Sequence, residues 1–265
     1  MALNSILTSV AGKKAGLTRG GKLMAEKGFV SGTKGQNIAQ PSPTTVAFFD
    51  DFVGDVVLDQ WNAVEGTDSA TSDFAILAGG VGGIGRLTTG DAGTGIAADM
   101  EQITQALQWK ANQGGLCAEA RFKLSAITTC YAFFGFTDVT TFEAPIIGAT
   151  GTTITTNATD AVGFMFDTTI TAGTWQLVGV ANDVDATRQS LTVAPVAGTY
   201  ATFRIEVSAT GVATFFYNGV QVGTAMAGAL RPTIALTPTI AVSKLSVAAS
   251  MTMDVDYVHV AANRV

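Results

Sequence analysis

Charge is scarce in this 265-residue sequence: Asp, Glu, Lys and Arg make up 14% of it, against about 25% in an ordinary soluble domain. With a mean hydropathy of +0.34, the chain has little charge to cover itself, and part of its surface is expected to meet protein. No apolar run approaches the roughly 20 residues of a membrane helix, so a helical span is not expected. Only two cysteines occur, Cys117 and Cys130, which excludes a disulfide-rich scaffold. Ser125–Thr128 reads as a hairpin turn between them. That register sets Cys117 opposite a residue near Phe136, so both are expected as free thiols, in keeping with synthesis in a reducing cytoplasm. His259 is the sole histidine; a zinc site would need it to converge with Cys117 or Cys130, and no metal or cofactor is expected. Long helical periodicity is also missing, with residues 97–108 the best helix candidate, equally readable as loop and strand.

What is present is unevenly placed. Residues 1–40 hold six basic side chains (Lys13, Lys14, Arg19, Lys22, Lys27, Lys34) against Glu26, a net +5; the remaining 225 residues hold nine against twenty, a net −11. Such asymmetry marks a basic arm with its own binding task. Leu3, Ile6, Leu7 and Val10 stand at helical spacing before Gly12, Gly16, Gly20 and Gly21 interrupt it. Gln40-Pro41-Ser42-Pro43 reads as an extended linker. The expected division is an anchoring arm and linker over 1–44 and a folded body over 45–265. In the arm, the four apolar residues grip an acidic protein partner and the six basic ones steer the encounter. Nucleic acid is a weaker reading, because no aromatics interleave the lysines.

From Thr45 the pattern becomes short apolar runs broken by Gly, Thr, Asn and Asp, in a chain with 30 Gly and 37 Thr. Strands are expected at Val46–Phe52, Phe74–Leu77, Ile84–Thr88, Leu116–Leu124, Tyr131–Phe136, Val162–Asp167, Trp175–Ala181, Thr202–Val207, Val212–Asn218 and Met251–Val260. Many short strands with frequent turns predict a sandwich. The clearest unit is a meander: Phe203, Ile205 and Val207 alternate with Arg204 and Glu206. Gly211 turns the chain, and Asn218-Gly219 makes a second tight turn. Asp183-Val184-Asp185 and Asp254-Val255-Asp256 pair carboxylates without a calcium loop around them. The glycine run at 79–85 lacks the Lys-Ser/Thr and helix of a phosphate loop. Of Trp61, Trp109 and Trp175, only Trp109, between Gln108 and Lys110, is expected at the surface, where its ring would offer a sugar contact.

The meander, preceded by Phe48-Phe49-Asp50-Asp51-Phe52 and Leu58-Asp59-Gln60-Trp61 and followed by Met253-Asp254-Val255-Asp256-Tyr257-Val258, resembles the concanavalin A-like lectin/glucanase superfamily over residues 45–262. The resemblance implies an all-β jelly-roll sandwich of two antiparallel sheets, here with an extended N-terminal arm; one sheet is usually concave and forms the cleft of sugar-binding relatives. The hydrolase branch carries an E-x-D-x-x-E strand motif. Glu119, Glu143 and Glu206 have no acidic partner at that spacing, so no catalytic residue and no enzymatic activity are expected.

A basic arm on a Thr/Gly-rich sandwich of this kind resembles the decoration (cement) proteins of tailed-bacteriophage capsids. That resemblance implies a virion structural protein on the capsid exterior. Its partners would be the major capsid protein and copies of itself, as dimer or trimer, and it would stabilise the assembled shell by mass action. The alternative expectation is a glycan-binding adhesion module, or a fibre or tail component, with surface glycans as partner.

Overall fold

The computed structural model describes residues 44–264 apart from 55, 68–70, 92–94, 151–152, 171–172 and 246–249. The anchoring residues assigned above, from Leu3 to Lys34, lie outside the described residues. Two large antiparallel sheets make up the body. Sheet A runs from β16 (Val220–Met226) through β15 (Ala213–Tyr217), β14 (Ala201–Val207), β6 (Leu116–Leu124), β18 (Thr252–Asn263) and β4 (Gly85–Thr88) to β3 (Asp73–Ile76), with β1 (Thr45–Asp50) also pairing with β18. Sheet B runs from β12 (Val184–Asp185) through β11 (Gln176–Ala181), β10 (Asp160–Asp167), β7 (Cys130–Thr137), β17 (Thr237–Lys244) and β5 (Glu101–Thr104) to β2 (Asn62–Glu65), with β13 (Gln189–Ser190) on β11. A separate hairpin joins β8 (Ile147–Thr150) to β9 (Thr153–Thr156).

Sheet A shows the alternation of a sheet with one wet face. In β6, Leu116, Ala118, Ala120, Phe122 and Leu124 are buried, while Cys117, Glu119, Arg121 and Lys123 point outward. The buried set meets the inner face of sheet B in the main core. There Phe122 stacks on Phe203 at 4.3 Å, and Phe164, Phe215 and Trp175 pack around the pair. Offset and edge-on ring contacts of this kind add to the area term.

Sheet B differs: β7, β10 and β17 are buried along their whole lengths. Their outer face is covered by residues 138–158, whose Ile146, Ile147, Ala149, Ile154 and Ala158 pack on Tyr131, Phe133, Met165, Val178 and Val180 in a second core. At the centre of sheet B, β7 and β10 lie so close side by side that a Cβ on Gly135 would collide with the Val162 carbonyl of the neighbouring strand.

Two expectations need correction. Residues 116–124 and 130–137 do not form a hairpin: β6 belongs to sheet A and β7 to sheet B, so residues 125–129 cross between layers. Both cysteines are nonetheless free, and Cys130 is buried. The 97–108 segment, readable as helix or as loop and strand, holds the end of one helical turn, α1 (Ile96–Asp99), and then strand β5. Trp109 is 3% exposed and in the main core, held by a backbone bridge to Leu236, so it makes no surface sugar contact. Its polar neighbours Gln108 and Lys110 lie at a strand-like bridge, where alternation turns the tryptophan inward.

Candidate functional site

The opening motif is structural. Asp50, at the end of β1, accepts a hydrogen bond from Trp61 Nε1 at 2.7 Å and one from the Phe52 amide at 2.8 Å, and it is buried. The carboxylate therefore satisfies the indole and caps the turn where Phe52 takes a positive φ of 54°. The acidic residue and the tryptophan of the opening motif are thus a structural pair.

The outer face of sheet B lies beneath the covering segment. Its floor is polar towards β5 and apolar towards β11. Gln102, Thr104, Thr137, Thr237 and Thr239 line the polar half, all fully buried. Bonds that hold the covering chain include the Glu143 amide donating to Gln102 Oε1 at 3.2 Å, Thr137 Oγ1 donating to Glu143 Oε2 at 3.0 Å, Asn62 Nδ2 donating to the Thr140 carbonyl at 3.3 Å and the buried Tyr131 hydroxyl donating to the Ile147 carbonyl at 2.9 Å. The Thr104 hydroxyl and both amide atoms of Gln105 have no partner among the described residues. Burial, with Asp138 adding a minor repulsion, pushes the Glu143 carboxyl up to about 7, so it can hold or release a proton near neutrality. On the sandwich's inner side, burial pushes Glu101 up to about 9, with Glu65 and Asp73 adding to it. Sequence reading missed both groups as a site; Glu143 is separated from the floor residues by the fold rather than by spacing, and no local motif marks it.

Outward from sheet A the picture is different. Arg86 donates to Asp254 at 2.6 and 2.9 Å, and Lys123 reaches the same carboxylate at 3.3 Å. Arg121 pairs with Asp256, and Tyr257 Oη donates to Glu119 at 2.7 Å. The Asp254 and Asp256 pair read from sequence is thus bound to arginines rather than arranged for a cation, and Asp254 is held below the usual carboxylate range because those partners outweigh its burial. Asp183 sits at a positive-φ turn before the two-residue strand β12. Among the described residues no group of three or more His, Cys, Asp or Glu side chains is placed to hold a metal, and no helix is long and apolar enough to cross a membrane.

No family model matches the chain, and no curated protein matches it. Solved structures do. A beta-glucanase of Bacillus licheniformis superposes with a TM-score of 0.55 at 12% identity, over 81% of this chain and 97% of the glucanase. LamA from Z. galactanivorans in complex with laminaritriose and laminaritetraose gives 0.55 at 12%, over 84% and 99%. The carbohydrate recognition domain of Emp47p gives 0.56 at 10%, over 85% and 100%. These matches overturn the expectation that the chain is not an enzyme. Glucanases and a glycosidic hydrolase are among the solved structures of this shape, so the lack of an E-x-D-x-x-E strand does not exclude an activity. At these identities the likeness is one of fold. The chain has the concanavalin A-like jelly-roll fold, shared with glucanases and with a lectin-type carbohydrate recognition domain.

Proposed function

We propose that this protein binds carbohydrate in the manner of a lectin-like module. The observation that carries the reading is the superposition over nearly the full length of LamA with bound laminari-oligosaccharides and of the Emp47p carbohydrate recognition domain. Those neighbours bind sugar on this framework, and the sandwich here is complete. The test is an array of neutral oligosaccharides probed with the full-length protein: saturable binding to a defined series supports the reading, and no binding to any series refutes it. Analysing the bound oligosaccharides for shortening reports whether the protein also cuts them.

A second reading is favoured by the charge division, +5 in residues 1–40 against −11 in the remainder. Here the protein is a virion component on the capsid exterior, made in the host cytoplasm. Residues 1–40 attach it to the major capsid protein, with Leu3, Ile6, Leu7 and Val10 as the apolar grip, and copies of the chain associate as a dimer or trimer. Mass spectrometry of purified particles made with and without residues 1–40 tests it. Loss of the truncated chain from particles supports the arm's role, and normal incorporation refutes it.

A further inference from the structure

We propose that the outer face of sheet A is a binding platform for an extended, neutral polysaccharide, distinct from the covered face of sheet B. The inference rests on the carbohydrate-binding reading above and names its location and ligand class.

The strand register builds the platform. Phe49 on β1 pairs with His259 on β18, His259 with Glu119 on β6, Glu119 with Arg204 on β14, Arg204 with Phe216 on β15, and Phe216 with Gln221 on β16. Paired residues point to the same side of a sheet, so these side chains form one row across six strands. Phe49 and Phe216 are four strand spacings apart, roughly 19 Å. Tyr257 lies beside the row, its ring stacked on Phe49 at 5.9 Å and 28°. At the other end the Arg204 guanidinium lies 4.0 Å over the Phe216 ring. Aromatic surface thus brackets a polar centre, and Phe49 is 44% exposed.

Three features select the ligand. First, the row carries an acceptor (Glu119), a donor (Arg204) and a group that does both (Gln221), which suits sugar hydroxyls that both donate and accept, while the flanking rings offer apolar surface for stacking. Second, the face is balanced: Arg86, Arg121, Lys123 and Arg204 stand against Glu119, Glu206, Asp254 and Asp256, so four of the nine cations after residue 40 neutralise this face while the body as a whole is acidic. A polyanion would meet Glu119, Glu206 and Asp256, and a polycation would meet the arginines; a neutral polymer meets neither penalty. Third, the side chains are already held by one another, through Arg121 to Asp256 and Tyr257 to Glu119, so little rotamer freedom remains to be lost on binding. The linear row, rather than an enclosed cavity, fits a chain of several sugars.

The test compares the full-length protein with Phe216→Ala, Phe49→Ala and Tyr257→Phe on one array of neutral β-glucan, xylan, mannan and galactan oligosaccharides and their sulfated counterparts, with melting curves to confirm folding. The platform predicts binding of neutral chains of four or more units and more than tenfold weaker binding for Phe216→Ala and Phe49→Ala. The milder Tyr257→Phe, which keeps the ring, should stay within about threefold of the parent. Full binding by the alanine variants overturns the platform while leaving carbohydrate binding intact. Preference for sulfated chains overturns the neutral assignment. Silence of the parent on every sugar, with particle attachment lost in the same variants, gives the face to a protein partner and removes both readings.

Discussion

At the scale of single residues, two buried carboxyls set how stability responds to pH. Glu101 and Glu143 are pushed up by burial to about 9 and about 7. Both therefore bind protons more tightly folded than unfolded, so their neutral forms are fully accommodated below the unfolded value near 4.5, and stability falls as pH rises through 7 and then 9. Neither oxygen of Glu101 has a hydrogen-bond partner among the described residues, so its ionised form has little to offset desolvation. Glu101→Gln is expected to stabilise the protein at pH 8 by an amount on the order of a few kcal/mol, with little change at pH 4; thermal melts at the two pH values check it. Both oxygens of the buried Asp50 accept hydrogen bonds, from Trp61 Nε1 and the Phe52 amide. Asp50→Ala strands a buried indole N–H and is expected to cost about 2–4 kcal/mol in urea unfolding.

At the scale of elements, the covering hairpin is held chiefly by apolar contact. Ile147→Ala should cost about 2–4 kcal/mol, measured by denaturant unfolding, because Ile147 is fully buried in the second core. What sequence reading recovered and what it lost follow from burial. The β14–β16 meander was legible because only one face of it is wet, so Phe203, Ile205 and Val207 alternate with polar residues. β7 and β10 are buried on both faces, so they were legible only as short apolar runs without alternation, at Tyr131–Phe136 and Val162–Asp167, and the hairpin that covers them was not expected. β17, in the middle of sheet B, was missed altogether. Pro238 argues against a central strand, yet it is tolerated because the β5 ladder begins one residue later, at Thr239. Beyond it the Gln105 amide donates to the Thr237 hydroxyl at 2.7 Å, and that hydroxyl donates to the Gln105 carbonyl at 2.9 Å. A side chain here does what a backbone ladder would otherwise do. The candidate platform was hidden for a related reason: Phe49, Glu119, Arg204, Phe216 and His259 are scattered over some 210 positions, and only strand register aligns them.

At the scale of the whole molecule, the framework is shared with glucanases and a carbohydrate recognition domain. The chain has spent residues 138–158 on covering one outer face and left the other with paired charges and aromatic rings. That division, an occupied face and an open one, is the ground for proposing carbohydrate binding on sheet A. The most direct measurement is a crystal structure of the full-length protein with a neutral oligosaccharide that it binds. The account predicts sugar density along sheet A between Phe49 and Phe216, in contact with Glu119 and Arg204, with residues 138–158 still in place. Sugar seated on Gln102 and Thr137 beneath a displaced 138–158 segment would contradict it.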